Sequence, residues 1–144
     1  MERGAVPERA GAELYVLDTS AVLALRGDES GAGRVEAILR RAQTGHAVVL
    51  LSFMTRMEVL YRVACDEGDE AAASAVRLLD ATPCRWASCD ADTLRAAARI
   101  KAHGGLSVAD AWIAATAEVH GAILVHKYPE FRRVGGIRQE PLPR

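Results

Sequence analysis

Leu14-Tyr15-Val16-Leu17-Asp18-Thr19-Ser20-Ala21-Val22 is an apolar run cut off by one acid and two hydroxyl residues. An unbroken apolar run of this length suits a strand buried on both faces, as in a parallel sheet. Asp, Thr and Ser suit the start of a helix, because their side-chain oxygens accept from its free N–H groups. The stretch therefore reads as a buried strand running straight into a short helix, Ala21 to Leu25, that stops near Gly27.

The same alternation continues outward. Residues 31–44 carry Val35, Ile38, Leu39 and Ala42 at helical spacing, with Gly45 as the cap. Ala47 to Leu51 reads as a second buried strand, followed by a helix from Thr55 to Gly68 and another from Asp69 to Asp80. Cys84 to Ser88 reads as a short strand. Helices then start at Asp90 and at Ser107, the second capped by Gly121. Ala122 to Val125 reads as a strand, 129–136 as turns and Ile137 to Leu142 as a last edge strand. Strands alternating with helices predict an α/β fold with a mostly parallel sheet covered on both faces.

The chain has 144 residues, a length for one domain. Residues 1–12 read as a flexible leader and 13–144 as a single domain. Half the residues are apolar and 26% are charged, which excludes a chain that is disordered throughout. The net charge of −1 excludes a strongly basic nucleic-acid coat but leaves room for a local basic patch. Only Lys101 and Lys127 are lysines, so arginine supplies nearly all the positive charge. Three cysteines with no C-x-x-C form neither a disulfide framework nor a zinc motif, and a reducing cytoplasm is the expected home. No apolar run reaches the roughly 18–20 residues of a membrane span, and no signal-peptide pattern opens the chain.

In an open parallel sheet, sites form outside the carboxyl ends of the strands. Asp18 follows the first strand, and Glu58 lies in the first turn of the helix after the second. Asp110 lies in the first turn of the Ser107 helix, and Glu130 follows the last apolar strand. Each has a second reading. Asp18 suits a helix cap, while Thr55-Arg56-Met57-Glu58 and Ser107-Val108-Ala109-Asp110 both resemble capping boxes. Capping does not require four acids to converge on one sheet edge. Their convergence would be costly without a cation, and hard carboxylate oxygens suit Mg²⁺ or Mn²⁺. Serine hydrolase elbows and nucleotide-cradling glycine loops are missing from the sequence.

Four segments resemble the PIN domain, and most closely the VapC-type toxins of type II toxin–antitoxin pairs. They are Leu17-Asp18-Thr19-Ser20-Ala21, Thr55-Arg56-Met57-Glu58-Val59, Leu106-Ser107-Val108-Ala109-Asp110-Ala111-Trp112-Ile113-Ala114, and Gly121 through His126-Lys127-Tyr128-Pro129-Glu130-Phe131. The resemblance runs from about Leu14 to Phe131. It implies a three-layer α/β/α sandwich and a Mg²⁺- or Mn²⁺-dependent endoribonuclease. It also implies a homodimer, an RNA substrate and silencing by a cognate antitoxin. Asp18, Glu58 and Asp110 fall at the acidic site, the first and last as main metal ligands, and Glu130 at a further acidic position.

One position departs from the pattern. The family usually has an aspartate before Pro-Glu-Phe, where this chain has Tyr128. A neutral phenol is a poor replacement for a hard anionic ligand. Glu130 would compensate if positions 128 and 130 shared a face of an extended segment. Two readings follow: an active nuclease, or an inactive PIN-fold module that binds antitoxin or RNA. In the first, Thr19 or Ser20 donates a hydrogen bond at the helix start, and Arg56 or Arg62 contacts RNA phosphates.

Overall fold

The computed structural model describes residues 12–144, so the leader expected over residues 1–12 lies, apart from Ala12, outside the described residues. Five strands form one sheet in the order β3-β2-β1-β4-β5, and every pairing is parallel. They are β1 (Glu13–Leu17), β2 (Ala47–Ser52), β3 (Arg85–Ala87), β4 (Ile123–His126) and β5 (Arg138–Pro141). Helices α1 (Thr19–Arg26), α2 (Ala32–Gln43), α3 (Phe53–Glu67) and α4 (Asp69–Asp80) precede β3. Helices α5 (Ala91–Ala102) and α6 (Val108–His120) separate β3 from β4.

Successive strand residues point to opposite faces, and the core divides accordingly. Tyr15, Leu17, Val49 and Leu51 pack with Ala21, Val35, Ile38, Val59 and Val76 from α1 to α4. Val16, Val48, Leu50 and Leu124 pack on the other face with Ile100 of α5, Ile113 of α6 and Phe131. The architecture is the three-layer α/β/α sandwich expected from the alternation of elements. Among the described residues, no helix is long and apolar enough to cross a membrane.

Several boundaries differ from the sequence reading, one of them at the site. Helix α3 begins at Phe53, not Thr55, because Ser52 is the cap: its hydroxyl accepts from Met54 N–H at 3.2 Å. Glu58 therefore lies beyond the first turn, and Thr55 is a buried helical residue rather than a cap. The second correction concerns 128–130. Pro129 opens a 3₁₀ turn, Pro129–Arg133, so the segment is not extended and the shared face expected for Tyr128 and Glu130 does not form. That turn makes the short parallel crossover from β4 to β5 possible, and the fully buried Phe131 anchors it in the core.

The strand order fixes where a site can form. From the central β1 the chain steps outward to β2 and β3, then returns to the other side of β1 to lay down β4 and β5. The direction reverses between β1 and β4, and the crevice beyond their carboxyl ends is where such sheets bind ligands. Asp18 leaves β1 there, and residues 127–130 leave β4 there.

Candidate acidic active site

Asp18 caps α1 and is fully buried. Its Oδ2 accepts from Ser20 N–H at 2.9 Å and from the Ser20 hydroxyl at 2.5 Å. Its Oδ1 is buried with no hydrogen-bond partner. Burial pushes this carboxyl up to about 7; the Ser20 bonds oppose the rise, while the charges of Asp110 and Glu58 add to it. A carboxylate with one oxygen committed and the other orphaned is costly in a metal-free fold, so its retention points to a cation or a proton at Oδ1.

Glu58 approaches from α3 and is fixed by a neighbour of Asp18. Thr19 Oγ1 donates to Glu58 Oε1 at 2.7 Å and lies 3.2 Å from Thr55 Oγ1, both threonines being buried. Asp110 stands in the first turn of α6, where Ser107 caps the helix by accepting from Asp110 N–H at 3.1 Å. The capping box read from the sequence is thus half right here, with Asp110 acting through its backbone. Burial raises the Asp110 carboxyl, the charges of Glu58 and Glu130 raise it further, and Ser107 and Arg62 oppose. Asp110 is therefore within electrostatic reach of Asp18, Glu58 and Glu130.

Ser20 also ties the two strand ends together, because its oxygen accepts from Lys127 N–H at 3.0 Å. Just beyond, Tyr128 N–H donates to Nδ1 of the buried His126 at 3.2 Å. Nε2 of His126 must then carry the ring proton, which it donates to Gln139 Oε1 at 2.9 Å. Gln139 Nε2 donates to the carbonyls of Phe131 at 2.8 Å and Val134 at 3.2 Å. This network pins the 3₁₀ turn beneath the site. Burial, with Arg132 nearby, lowers the His126 pKa against the Gln139 bond. His126 serves the turn rather than the acids, and Gln139 carries no local sequence signal.

The expected arginines separate. Arg56 pairs with Asp80 at 2.9 Å and stacks 4.2 Å over the Trp86 ring, so it is not brought to the acids. Arg62, four residues after Glu58 and so on the same helix face, donates from Nη1 to the Tyr128 hydroxyl at 3.2 Å. The sequence alone does not separate the two arginines, although this spacing is the local signal that could have. An open groove of about 1090 Å³ runs past this edge. Its lining includes Ser20, Arg62, Tyr128 and Glu130, with Arg26, Lys127 and Arg133 adding positive charge.

Among the described residues, no three His, Cys, Asp or Glu side chains form a ready-made metal-ligating cluster. The donor chemistry at Asp18 still fits a small hard cation. Mg²⁺ demands few protein ligands, one or two carboxylates sufficing while water or phosphate oxygens fill the remaining positions. Asp18 Oδ1 is the orphaned oxygen such an ion would satisfy.

The PIN domain family model matches residues 15–137. No curated protein matches the chain. Among solved structures, VapBC2 from Rickettsia felis bound to a promoter DNA fragment is 18% identical, with a TM-score of 0.73 over 90% of this chain and 99% of that one. DNA-bound VapBC from Salmonella typhimurium is 20% identical, with a TM-score of 0.73 over 90% and 98%. VapC20 from Mycobacterium tuberculosis, a Sarcin-Ricin loop cleaving toxin, is 19% identical, with a TM-score of 0.67 over 90% and 99%. At such identities these likenesses concern the fold.

Proposed function

Because the chain belongs to the PIN domain family, we propose that it is a divalent-metal-dependent endoribonuclease, the toxin of a type II toxin–antitoxin pair. The observation that carries this reading is Asp18: a fully buried carboxylate with one unpartnered oxygen, electrostatically coupled to Asp110 and Glu58 at the switch point of the sheet. A Mg²⁺ or Mn²⁺ ion bound there supplies Lewis acidity, acidifying water and neutralising charge on the attacked phosphate.

The residues divide the work. Asp18 and Asp110 hold the ion, and Glu58 assists directly or through water. Ser20 commits Asp18 Oδ2 and leaves Oδ1 as the ligand atom; Thr19 holds Glu58 in place. Such partners of metal ligands fix orientation and raise affinity. Glu130 adds a fourth acid at the groove border. The groove has a mixed lining, and its Arg62 and Arg133, which are in no ion pair among the described residues, give RNA phosphates a place to bind, since phosphate contacts supply most of the sequence-independent affinity. Met57, Leu60 and Tyr61 expose an apolar row on α3, a surface suited to a homodimer or an antitoxin helix. The cell compartment proposed is the cytoplasm, where RNA and a partner antitoxin meet.

The test is RNA cleavage in Mn²⁺ by the chain and by Asp18→Asn. Cleavage that needs metal and disappears in the variant is expected; equal cleavage by both would refute the assignment. Tyr128 favours a second reading, an inactive module that binds antitoxin or RNA, because it stands where a further acid would strengthen the site. Tyr128→Asp separates the two: if only this variant cuts, and only without EDTA, the second reading holds.

A further inference from the structure

Several arginines, Arg62 and Arg133 of the groove among them, form no ion pair among the described residues, and Arg62 is set apart by its place beside the site acids. Arg26 pairs with Glu67, Arg34 with Glu140, Arg56 with Asp80 and Arg99 with Glu118. Arg62 forms no ion pair among the described residues, although its charge bears on both Asp110 and Glu58. It is half-buried and lines the groove. Its hydrogen bond to Tyr128 uses one donor of a planar fork that carries several, and the rest are uncommitted among the described residues.

Tyr128 is built to hold this fork without cancelling it. Its backbone is fixed by His126, and its ring lies 6.5 Å from that of the buried Phe131. The hydroxyl is therefore held in place as the acceptor for Arg62. A carboxylate in its place would neutralise the guanidinium; a phenol aims it and leaves the full charge available. A guanidinium fork matches phosphate oxygens in a bidentate way, and a fixed cation at a reacting phosphate stabilises charge as it develops. In two-metal sites that stabilisation comes from a second ion a few ångströms from the first. Here a second divalent ion would have to settle beside a guanidinium.

We propose that Arg62, aimed by Tyr128, is the phosphate-binding cation of this site and replaces a second divalent ion, so that the site takes one ion per chain. The inference rests on the nuclease reading but is tested separately from it. Mn²⁺ binding is measured by calorimetry on the full chain, Arg62→Gln and Arg62→Lys, beside cleavage of a mixed-sequence single-stranded RNA and a thermal melt of each. The parent is expected to bind one Mn²⁺. Arg62→Gln, freed of the cation's repulsion, is expected to bind Mn²⁺ roughly three- to tenfold more tightly and to cut about 10²-fold more slowly. Arg62→Lys is expected to keep parental Mn²⁺ affinity and intermediate cleavage. Opposite movement of metal affinity and cleavage is a signature that simple structural damage would not give. Two ions in the parent, or a parallel loss of both properties in Arg62→Gln, overturns the proposal. A parent that binds one Mn²⁺ yet cuts no RNA overturns the role of Arg62 in cleavage, and a parent that binds none overturns the metal site itself.

Discussion

Thr19 and Glu58 lie 39 positions apart in the chain and share a 2.7 Å hydrogen bond that joins the first turn of α1 to α3. The bond places one acid of the site under the control of a residue adjacent to another. Thr19→Val keeps the shape of the side chain and removes the donor. Mn²⁺ affinity is expected to fall roughly tenfold, as for other partners of metal ligands. Calorimetry with Mn²⁺ checks this, and unchanged affinity would mean that Glu58 needs no such support.

The Asp18 carboxyl gives the metal-free protein a particular pH dependence. Its pKa in the fold, about 7, lies above its ordinary value of 3.8. The folded state therefore binds the proton more tightly than the unfolded state does. The associated stabilisation is complete below the ordinary value and is lost as pH rises through about 7. Asp18→Asn cannot lose it. In EDTA the variant is expected to be more stable than the parent at pH 8, by about 2–4 kcal/mol, with the gap closing as pH falls through 5 towards 4. Urea denaturation across that range decides it. Mn²⁺ should reverse the order at pH 8 by stabilising only the parent.

Gln139 is expected to matter for stability out of proportion to its position on an edge strand. Gln139→Leu strips His126 Nε2 and the carbonyls of Phe131 and Val134 of their partner at once. Unsatisfied buried polar groups of this kind cost about 2–3 kcal/mol, read as a lower urea midpoint. His126 adds a second sign to the pH profile. Its pKa is depressed by burial, so its contribution is present above its unfolded value and is lost as pH falls through the folded one. A variant as stable as the parent would place the anchoring of the turn elsewhere, in Phe131.

Much of this site was legible because its acids sit at strand-to-helix junctions, and such junctions announce themselves. An apolar run followed by Asp18-Thr19-Ser20 leaves little choice of local structure. The start of α3 was misread because Phe53 and Met54 suit a strand as well as a helix, while Thr55 through Glu58 imitates a capping box. Only the Ser52 hydroxyl turning onto Met54 N–H settles the matter. The pairing of Arg62 with Tyr128 spans 66 positions and depends on α3 meeting the segment that leaves β4. No local pattern encodes such a contact. The same holds for Arg56, whose turn toward Trp86 follows from the placement of β3.

The position of β1 also orders events during synthesis. Val16 pairs with Leu50 on one side and Leu124 on the other, so the first strand made waits for a strand made more than 100 residues later to be enclosed. One edge of β1 stays open until β4 emerges. Asp18 and Glu58 are already on the growing chain by then, but Asp110 arrives only with α6, and Lys127, which locks Ser20, later still. A nascent or truncated chain would therefore carry acids without a working site. If the proposed nuclease reading holds, the ribosome making it would be shielded from its chemistry until nearly the whole domain had left the exit tunnel.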